Sequence, residues 1–433
     1  MSEWKKVKIG DVCKIVKGAT GIASAESGKY PLVVTAVERK TCSTFQFDCE
    51  AVCIPLVSSS GHGKKSLNNV HYQSGKFALG TILCAVIPNN SEELDARYLH
   101  QYLQFYKDTA LVPLMKGAAN VSLSMKDIAD VSIPLPPIKR QRELAEMFVT
   151  LQEKQKELFA ELEKQAEYAK QLRHNILQEA IEGKLTADWR KYHPIVKGNP
   201  EYDVEMLFET IQKERNLAKK QKKLPAITDE EKTFEFPEGW KWVRLGEYLD
   251  VRDGTHDSPR YVENGYPFVT SKNLINGSID FSTCKRISKK DFEKFDLRSH
   301  VDNGDILYAM IGSIGNAVIV NKDREFAIKN VALFKKYNAL LTNMSFVYYW
   351  LCFIEKNLRN NAAGSLQPFI SLSIFRTQVF PLPPLAEQKE IVDRVEQYLQ
   401  TITQLETQIA TRETITKQLM QSILKDAFEK QLN

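Results

Sequence analysis

Apolar residues recur at alternating spacings of four and three through residues 138–185. Leu144, Phe148, Leu151, Leu158, Leu162, Ala169, Leu172 and Ile176 mark the seam, with Gln155 and Gln165 as its polar members. A narrow stripe held over more than four heptads predicts one coiled-coil helix, roughly 70 Å long at 1.5 Å per residue. Gly183 stands where it would end, because glycine takes the left-handed backbone that closes helices. The pattern returns in residues 385–433 as Ile391, Val395, Tyr398, Ile402, Leu405, Ile409, Leu419 and Ile423, with Arg412 and Thr416 among them. Ile391 follows Leu144 by 247 residues, and that offset holds along both helices.

The repeat extends beyond the helices. Pro134-Leu135-Pro136-Pro137 recurs as Pro381-Leu382-Pro383-Pro384, and Ser122-Leu123-Ser124 as Ser371-Leu372-Ser373. Trp4 with Ile9-Gly10 matches Trp240 with Leu245-Gly246. Solenoid units run on the order of 20–50 residues, so this is a duplicated module of one globular domain and one helix. Within residues 1–137, β-rich runs at 30–37, 51–58 and 81–87 alternate with turn residues, and residues 92–106 carry a helical apolar face.

The predicted fold class is α+β: two α/β domains alternate with two long helices that pair as an antiparallel coiled coil, with an internal pseudo-two-fold repeat. The predicted segments are 1–137, the helix 138–185, a connector 186–238 with a short helix near 202–217, 239–384, and the helix 385–433. Such an arrangement would hold the two domains at opposite ends. Dimeric DNA-binding proteins use that symmetry to meet two half-sites about 34–36 Å apart.

Composition narrows the function classes. The 433 residues are 43% hydrophobic and 26% charged, with a net charge of +5. That mild basicity suits a polyanion without demanding one. The seven cysteines form no paired framework, which fits a reducing, cytoplasmic setting. Cys49-x3-Cys53 with His62 and His71 lacks the second cysteine pair of a structural zinc site, so no metal ligands are assigned. No apolar run reaches the ~18 residues of a membrane span.

Catalytic motifs are missing. Ser60-Gly61-His62-Gly63-Lys64-Lys65-Ser66 does not have the spacing of a phosphate loop. No dinucleotide fingerprint, metalloprotease helix or nucleophile elbow occurs. The chain is therefore expected to carry no catalytic residue, and any chemistry to sit on a partner.

What recurs instead is loop chemistry suited to polyanions. In the second half it comprises Arg252, Thr255, His256 and Arg260, then Lys272-Asn273, Ser313 and Asn316, Lys329-Asn330, and Gln367. The first half offers Lys17 and Thr20, then Ser60, His62, Lys64 and Lys65, then Lys116 and Asn120. Glycine and serine loops bring backbone N–H groups to phosphates, which Lys and Arg neutralise. Asn, Gln, Arg and His can read base edges. Lys219-Lys220-Gln221-Lys222-Lys223 in the connector is a further candidate phosphate- or partner-facing arm.

These motifs together resemble a known family. Gly304-Asp305-Ile306-Leu307 leading to Gly312-Ser313-Ile314-Gly315 is similar to its target-recognition domains, as is Phe236-Pro237-Glu238-Gly239-Trp240 continuing through Trp242 to Gly246. Gly183-Lys184-Leu185-Thr186-Ala187-Asp188-Trp189-Arg190 resembles the segment closing its central helix. The family is the specificity (S) subunit of type I restriction-modification systems. The resemblance implies a non-catalytic reader of double-stranded DNA, one domain per half of a bipartite, asymmetric site. It implies two methyltransferase (M) subunits docked on the helices and motor-nuclease (R) subunits completing the complex. S-adenosylmethionine, Mg and ATP would belong to those partners, with no cofactor in this chain. The first half departs from the pattern: it lacks Gly-Asp-Ile-Leu, and Gly61-His62-Gly63 replaces the fuller glycine motif. The alternative from another class is a coiled-coil adaptor whose heads bind proteins.

Overall fold

A computed structural model of the chain describes residues 4–60, 63–218, 223–363 and 368–429. Five helices organise it: α1 Ala96–Tyr106, α2 Ile138–Ile181, α3 Lys289–Ser299, α4 Met344–Asn360 and α5 Leu385–Glu429. The chain divides into two compact units, residues 1–165 with 408–433 and residues 166–407, and each long helix contributes to both.

The first unit is built on four antiparallel strands: β1 Cys13–Lys17, β2 Ala51–Pro55, β3 His71–Gln73 and β4 Leu83–Pro88, in the order β1-β4-β2-β3. A smaller sheet pairs Tyr30–Val33 parallel to Lys76–Leu79 and antiparallel to Lys40–Cys42. Asp95 caps α1 by accepting from the N–H groups of Arg97 (2.8 Å) and Tyr98 (3.0 Å), which satisfies two of the donors a helix start leaves open. Its apolar face buries Tyr98, Leu99 and Leu103 against Val52, Ile54 and Val86 of the sheet. The α2 and α5 segments of this unit run antiparallel: the Phe148 and Phe428 rings lie 4.7 Å apart, and Lys417 sits over the Phe159 ring. Phe428 also meets Tyr98, Tyr102 and Phe105. Full burial of such a ring stabilises by roughly 1.5–3 kcal/mol.

The second unit repeats the plan. Strands β5 Leu249–Asp253, β6 Ile306–Ala309, β7 Gly315–Ile319 and β8 Val331–Lys336 take the order β5-β8-β6-β7, matching the first sheet position for position. Tyr266–Val269 is parallel to Ala327–Ile328, as Tyr30–Val33 is to Lys76–Leu79. The short entry strands agree in register, since Lys8 faces Ser132 and Arg244, 236 positions on, faces Val379, 247 positions on from Ser132. A Cβ on Gly10 would lie 3.0 Å from the Ala129 side chain, and one on Gly246 would lie 3.0 Å from the Arg376 side chain. Those glycines let a short helix approach equally closely in both copies. Among the described residues the second unit adds the connector helix Val204–Ala218, α3, the strand Tyr261–Val262 and the hairpin of Leu274–Ile275 with Ser278–Ile279.

Within this unit the long helices again run antiparallel. Arg173 reaches Thr403 (3.3 Å) and Glu406 (3.1 Å), while Arg394 binds Asp188 (2.6 Å) and the Leu185 carbonyl (2.9 Å). Gly183, at φ +73°, ends α2, and the N–H of Lys184 returns to the Glu179 carbonyl at 2.8 Å. The buried carboxylate of Glu387 then gathers the chain after the helix. It accepts from Thr186 Oγ1 (2.7 Å), Trp240 Nε1 (2.8 Å) and the Arg190 guanidinium.

The seam is narrower than the sequence predicts. Leu162, Ala169, Ile176 and Ile402 are buried, but Leu158, Leu172, Tyr398, Leu405 and Leu419 are 42–57% exposed. Two helices cover only the positions that face each other, and the other flank of each stripe stays about half exposed. The exposed leucines are equivalent in the repeat: Leu405 corresponds to Leu158, and Leu419 to Leu172. The 30–37 run is a strand only over Tyr30–Val33. Beyond it Arg39 ties the loop down, binding the carbonyls of Val37 and Tyr72 and the side chain of Gln73.

Candidate nucleic-acid interface

In the second unit three loops converge where β5, β8 and the Tyr266–Val269 strand end. Thr255 bridges in parallel to Lys329, its N–H donating to the Ile328 carbonyl (3.1 Å). Lys329 N–H donates to the Val269 carbonyl (2.9 Å), and Ser271 Oγ donates to the Asn330 carbonyl (3.3 Å). This ladder brings residues 254–258, 270–273 and 329–330 together. His256 lies between loops, with Nδ1 2.7 Å from Asn330 Oδ1 and Nε2 3.0 Å from Asp253 Oδ2. Lys329 Nζ donates to Ser258 Oγ (2.6 Å). Lys272 and Arg260 are exposed. Arg252 is folded back onto Asp250 (2.6 Å).

Two expected readers are corrected. Asn273 is buried: its Oδ1 accepts from the Thr270 N–H and hydroxyl (both 2.9 Å), and its amide donates to Thr283 Oγ1 (3.1 Å). It closes a tight turn and has no free edge for a ligand. Thr255 is buried as well, and its hydroxyl accepts from the Asp257 N–H (3.0 Å).

The Gly-Ser-Ile-Gly motif has a structural cause. A Cβ on Gly315, at φ +111°, would lie 2.3 Å from the Glu355 carboxyl carbon. Glu355 accepts from the Asn316 N–H (3.1 Å) and pairs with Arg359, which donates to the Ile314 carbonyl (2.6 Å). Ile314 is buried beneath the turn, leaving Ser313 exposed and Asn316, at φ +51°, half-buried. Gly-Asp-Ile-Leu is likewise structural. Asp305 is buried, accepts from Lys335 Nζ (2.6 Å) and the Asp302 N–H (2.8 Å), and burial raises its pKa despite that pairing.

The first unit builds equivalent loops from other residues. Thr20 bridges in parallel to Gly80 as Thr255 does to Lys329. The loop after β2 is held by Ser58 Oγ, which donates to the Lys64 carbonyl (2.5 Å), and by a Ser60–Ser66 hydroxyl contact (2.7 Å). It docks on the 116–122 hairpin through the Val57–Ser122 bridge and the Gly63 N–H to the Ala119 carbonyl (3.4 Å). The second unit has the same pair, Ile311 with Phe369 and Ala363 with Phe369. Lys17, Lys64, Lys65 and Asn120 are exposed, and Lys116 pairs with Asp127 (3.2 Å) while staying largely solvent-accessible. His62, Gln367 and all of the connector's lysine run except Lys223 lie outside the described residues.

Sequence reasoning missed two elements. Tyr30-Pro31-Leu32-Val33 repeats as Tyr266-Pro267-Phe268-Val269, so the loop after Val33 is the counterpart of 270–273. That tetrapeptide could have revealed it. Lys290, Lys294 and Arg298 recur every fourth residue along α3. Arg298 pairs with Asp253, and Lys294 with Asp257 (2.8 Å), so α3 lends positive charge to the loop cluster.

Asp296, His300 and Glu325 are the one group among the described residues able to approach a cation together. His300 and Asp296 contact each other (2.8 Å), His300 also reaches Asp302 (3.3 Å), and Glu325 pairs with Lys322 (2.9 Å). In the cysteine-histidine group, Cys53 is buried with its thiol pKa raised by desolvation, and His71 Nδ1 faces Arg39 at 3.2 Å. Among the described residues no helix is long and apolar enough to cross a membrane.

A twice-built α/β domain with matched polar loops, each copy feeding a long helix, defines a recognition protein with two similar binding domains. The chain belongs to the type I restriction modification DNA specificity domain family, whose pattern matches residues 1–168 and again 237–412. Its role in that family is recognition of a DNA target. Among characterised proteins it is 30% identical over 256 residues to the type I restriction enzyme EcoAI specificity subunit of Escherichia coli. That match spans 55% of this chain and 41% of that subunit. It is 23% identical over 452 aligned residues to the E. coli EcoDI specificity subunit, spanning 99% of this chain and 89% of the other. Two solved structures share the fold, both at 19% sequence identity. One belongs to a study of complex assembly and conformational transition of the type I R-M system (TM-score 0.64, 100% of this chain and 99% of that one). The other is the HsdS subunit from Thermoanaerobacter tengcongensis (TM-score 0.58, 98% and 96%).

Proposed function

We propose that this chain is the non-catalytic reader of a bipartite, asymmetric DNA site, with one globular domain bound to each half and the paired helices fixing the gap. The observation that carries this reading is the duplication of the loop set. The same sheet order and the same bridges present Thr20, residues 58–60, 63–66 and 116–120 in one copy. The other copy presents His256, Lys329, Asn330, Ser313 and Asn316. Equal scaffolds with unequal side chains suit two half-sites of different sequence. Phosphate contacts from Lys17, Lys64, Lys65, Lys116, Lys272, Arg260 and Lys329 would hold the heads on the duplex and make binding salt-dependent.

Two methyltransferase subunits dock on the helices in this reading. The exposed, repeat-related Leu158 and Leu405, and Leu172 and Leu419, supply apolar contacts that an isolated helix pair leaves bare. S-adenosylmethionine stays with those subunits, which flip the target base out of the duplex. Mg and ATP belong to the motor-nuclease subunits that complete the complex.

The test is a methylation map. The chain is co-expressed with the methyltransferase subunit encoded beside it in a methylation-free host, and the host DNA is sequenced for N6-methyladenine. The expected result is a two-part motif with a fixed gap. Replacing residues 1–137 with another family member's domain should change one half-site only. A motif that is continuous, or that changes in both halves after the swap, would sink the proposal.

A further inference from the structure

Asn330 is held as though it were itself a bound ligand. Its backbone sits in the left-handed region at φ +54°, which asparagine tolerates better than other side-chain-bearing residues. Its N–H donates to the Thr255 carbonyl (3.3 Å), and its carbonyl accepts from Ser271 Oγ (3.3 Å). The amide at its tip meets His256 Nδ1 at 2.7 Å, and His256 Nε2 lies 3.0 Å from Asp253 Oδ2. Asp253 is buried and also holds Arg298. A reader needs a fixed orientation, and here both the backbone and the side chain are fixed.

The proton count decides what this amide shows to solvent. Asp253 is an acceptor, so the Nε2 facing it carries the imidazole proton. A neutral imidazole has one proton, which leaves Nδ1 as an acceptor. The partner atom of Asn330 must then be a donor. A half-turn about the terminal side-chain bond exchanges the amide oxygen and nitrogen in place, so NH2 faces Nδ1 at the same separation. One N–H is used on the histidine. The other N–H and the carbonyl oxygen lie side by side on the opposite edge, the pair that binds adenine through N7 and N6 in the major groove.

We propose that Asn330 is the specificity-determining residue for one adenine in the half-site read by residues 239–384, an adenine other than the methylated one. His256 is its positioning residue, with Asp253 setting the tautomer. This inference rests on the DNA-reading assignment above.

The experiment uses the same co-expressed complex and adds two variants, Asn330→Asp and His256→Ala. Asn330→Asp keeps the shape, removes the N–H donors and adds a negative charge. It should abolish the preference for adenine at one position, moving it toward cytosine, whose N4 amino group a carboxylate accepts from. The discrimination lost is about 10- to 100-fold. His256→Ala should relax the same position to two or more bases. The other positions and the other half-site should be unchanged in both variants. Duplex oligonucleotides carrying each of the four bases at that position, titrated against the purified complexes, give the same ratio without any methylation step. A wild-type motif left intact by both variants overturns this inference alone. So does guanine at the affected position, which would mean a doubly protonated histidine and an amide turned the other way. A wild-type complex that yields no motif overturns the DNA-reading assignment, and this inference with it.

Discussion

Gln141 and Gln388 stand 247 positions apart and do the same thing. Each donates its side-chain amide to the carbonyl of the proline five residues earlier, Gln141 to Pro136 at 2.8 Å and Gln388 to Pro383 at 2.9 Å. Both are fully buried. Gln141 also donates to the Glu93 carbonyl and accepts from the Asp95 N–H, while Gln388 accepts from the Tyr248 hydroxyl. The Pro-Leu-Pro-Pro repeat is thus a joint: prolines end the strand, and a glutamine one turn into the helix fixes the angle of departure.

Gln388→Ala should therefore destabilise the second unit. It leaves the Pro383 carbonyl buried without its donor and takes one hydrogen bond from the buried Tyr248 hydroxyl, at about 1–3 kcal/mol in all. Urea unfolding should show a lower midpoint, and replacement of the exposed Gln404 should show none.

Phe428→Ala should cost about 3–5 kcal/mol in the first unit, the range for deleting a buried aromatic ring. The ring is enclosed by Tyr98, Tyr102, Phe105, Tyr106 and Phe148. A thermal melt that leaves the transition of the first unit in place would contradict the packing described.

Glu387→Ala should cost about 2–4 kcal/mol, because it strands the partly buried Arg190 and two neutral donors together. Trp240→Phe removes only one of those hydrogen bonds and should cost less. Chemical denaturation of both variants gives the ordering, and the reverse order would count against the network.

The first unit should weaken as the pH falls below 6.5. Burial, helped by Arg39, lowers the His71 pKa from 6.5 to about 4. The folded unit then binds fewer protons than the unfolded chain between those values. Stability from this group is complete above pH 6.5 and is lost as pH falls toward 4, by about 1–3 kcal/mol. His71→Gln should flatten the dependence of melting temperature on pH across that window.

Lys272→Gln should weaken DNA binding about equally for all sequences. It should also lower the slope of log K against log salt by about 1, as loss of one phosphate contact does. Fluorescence anisotropy between 50 and 200 mM salt is the measurement. A change of preferred sequence with an unchanged slope would make Lys272 a base reader instead.

Much of this protein could be read from the chain. The heptads over Leu144 to Ile176 required a long helix, because apolar residues spaced by four and three share a face only on a helix. The constant offset required a second copy, and Gly183 marked where the helix stops. The loops were legible as a class, since Gly, Ser, Asn and Lys in turns are a local property. Their individual roles were not. Asn273 and Asn330 look alike in sequence, yet one is spent inside a turn and the other stands at the loop surface. That difference depends on which strands run side by side. The same holds for His256, whose partners Asp253 and Asn330 lie 3 and 74 residues away, and for α3, whose charges matter only because Asp253 and Asp257 face them.

The seam gives the same lesson. Periodicity fixed which residues share a stripe, and only packing decided how much of it is covered. Sequence by itself determined the repeat, the helices and the kinds of loop, because these follow from short-range backbone and side-chain preferences. Tertiary structure alone decided which polar groups are satisfied internally and which are left to meet a ligand, because a hydrogen bond is settled by distance in space and not along the chain.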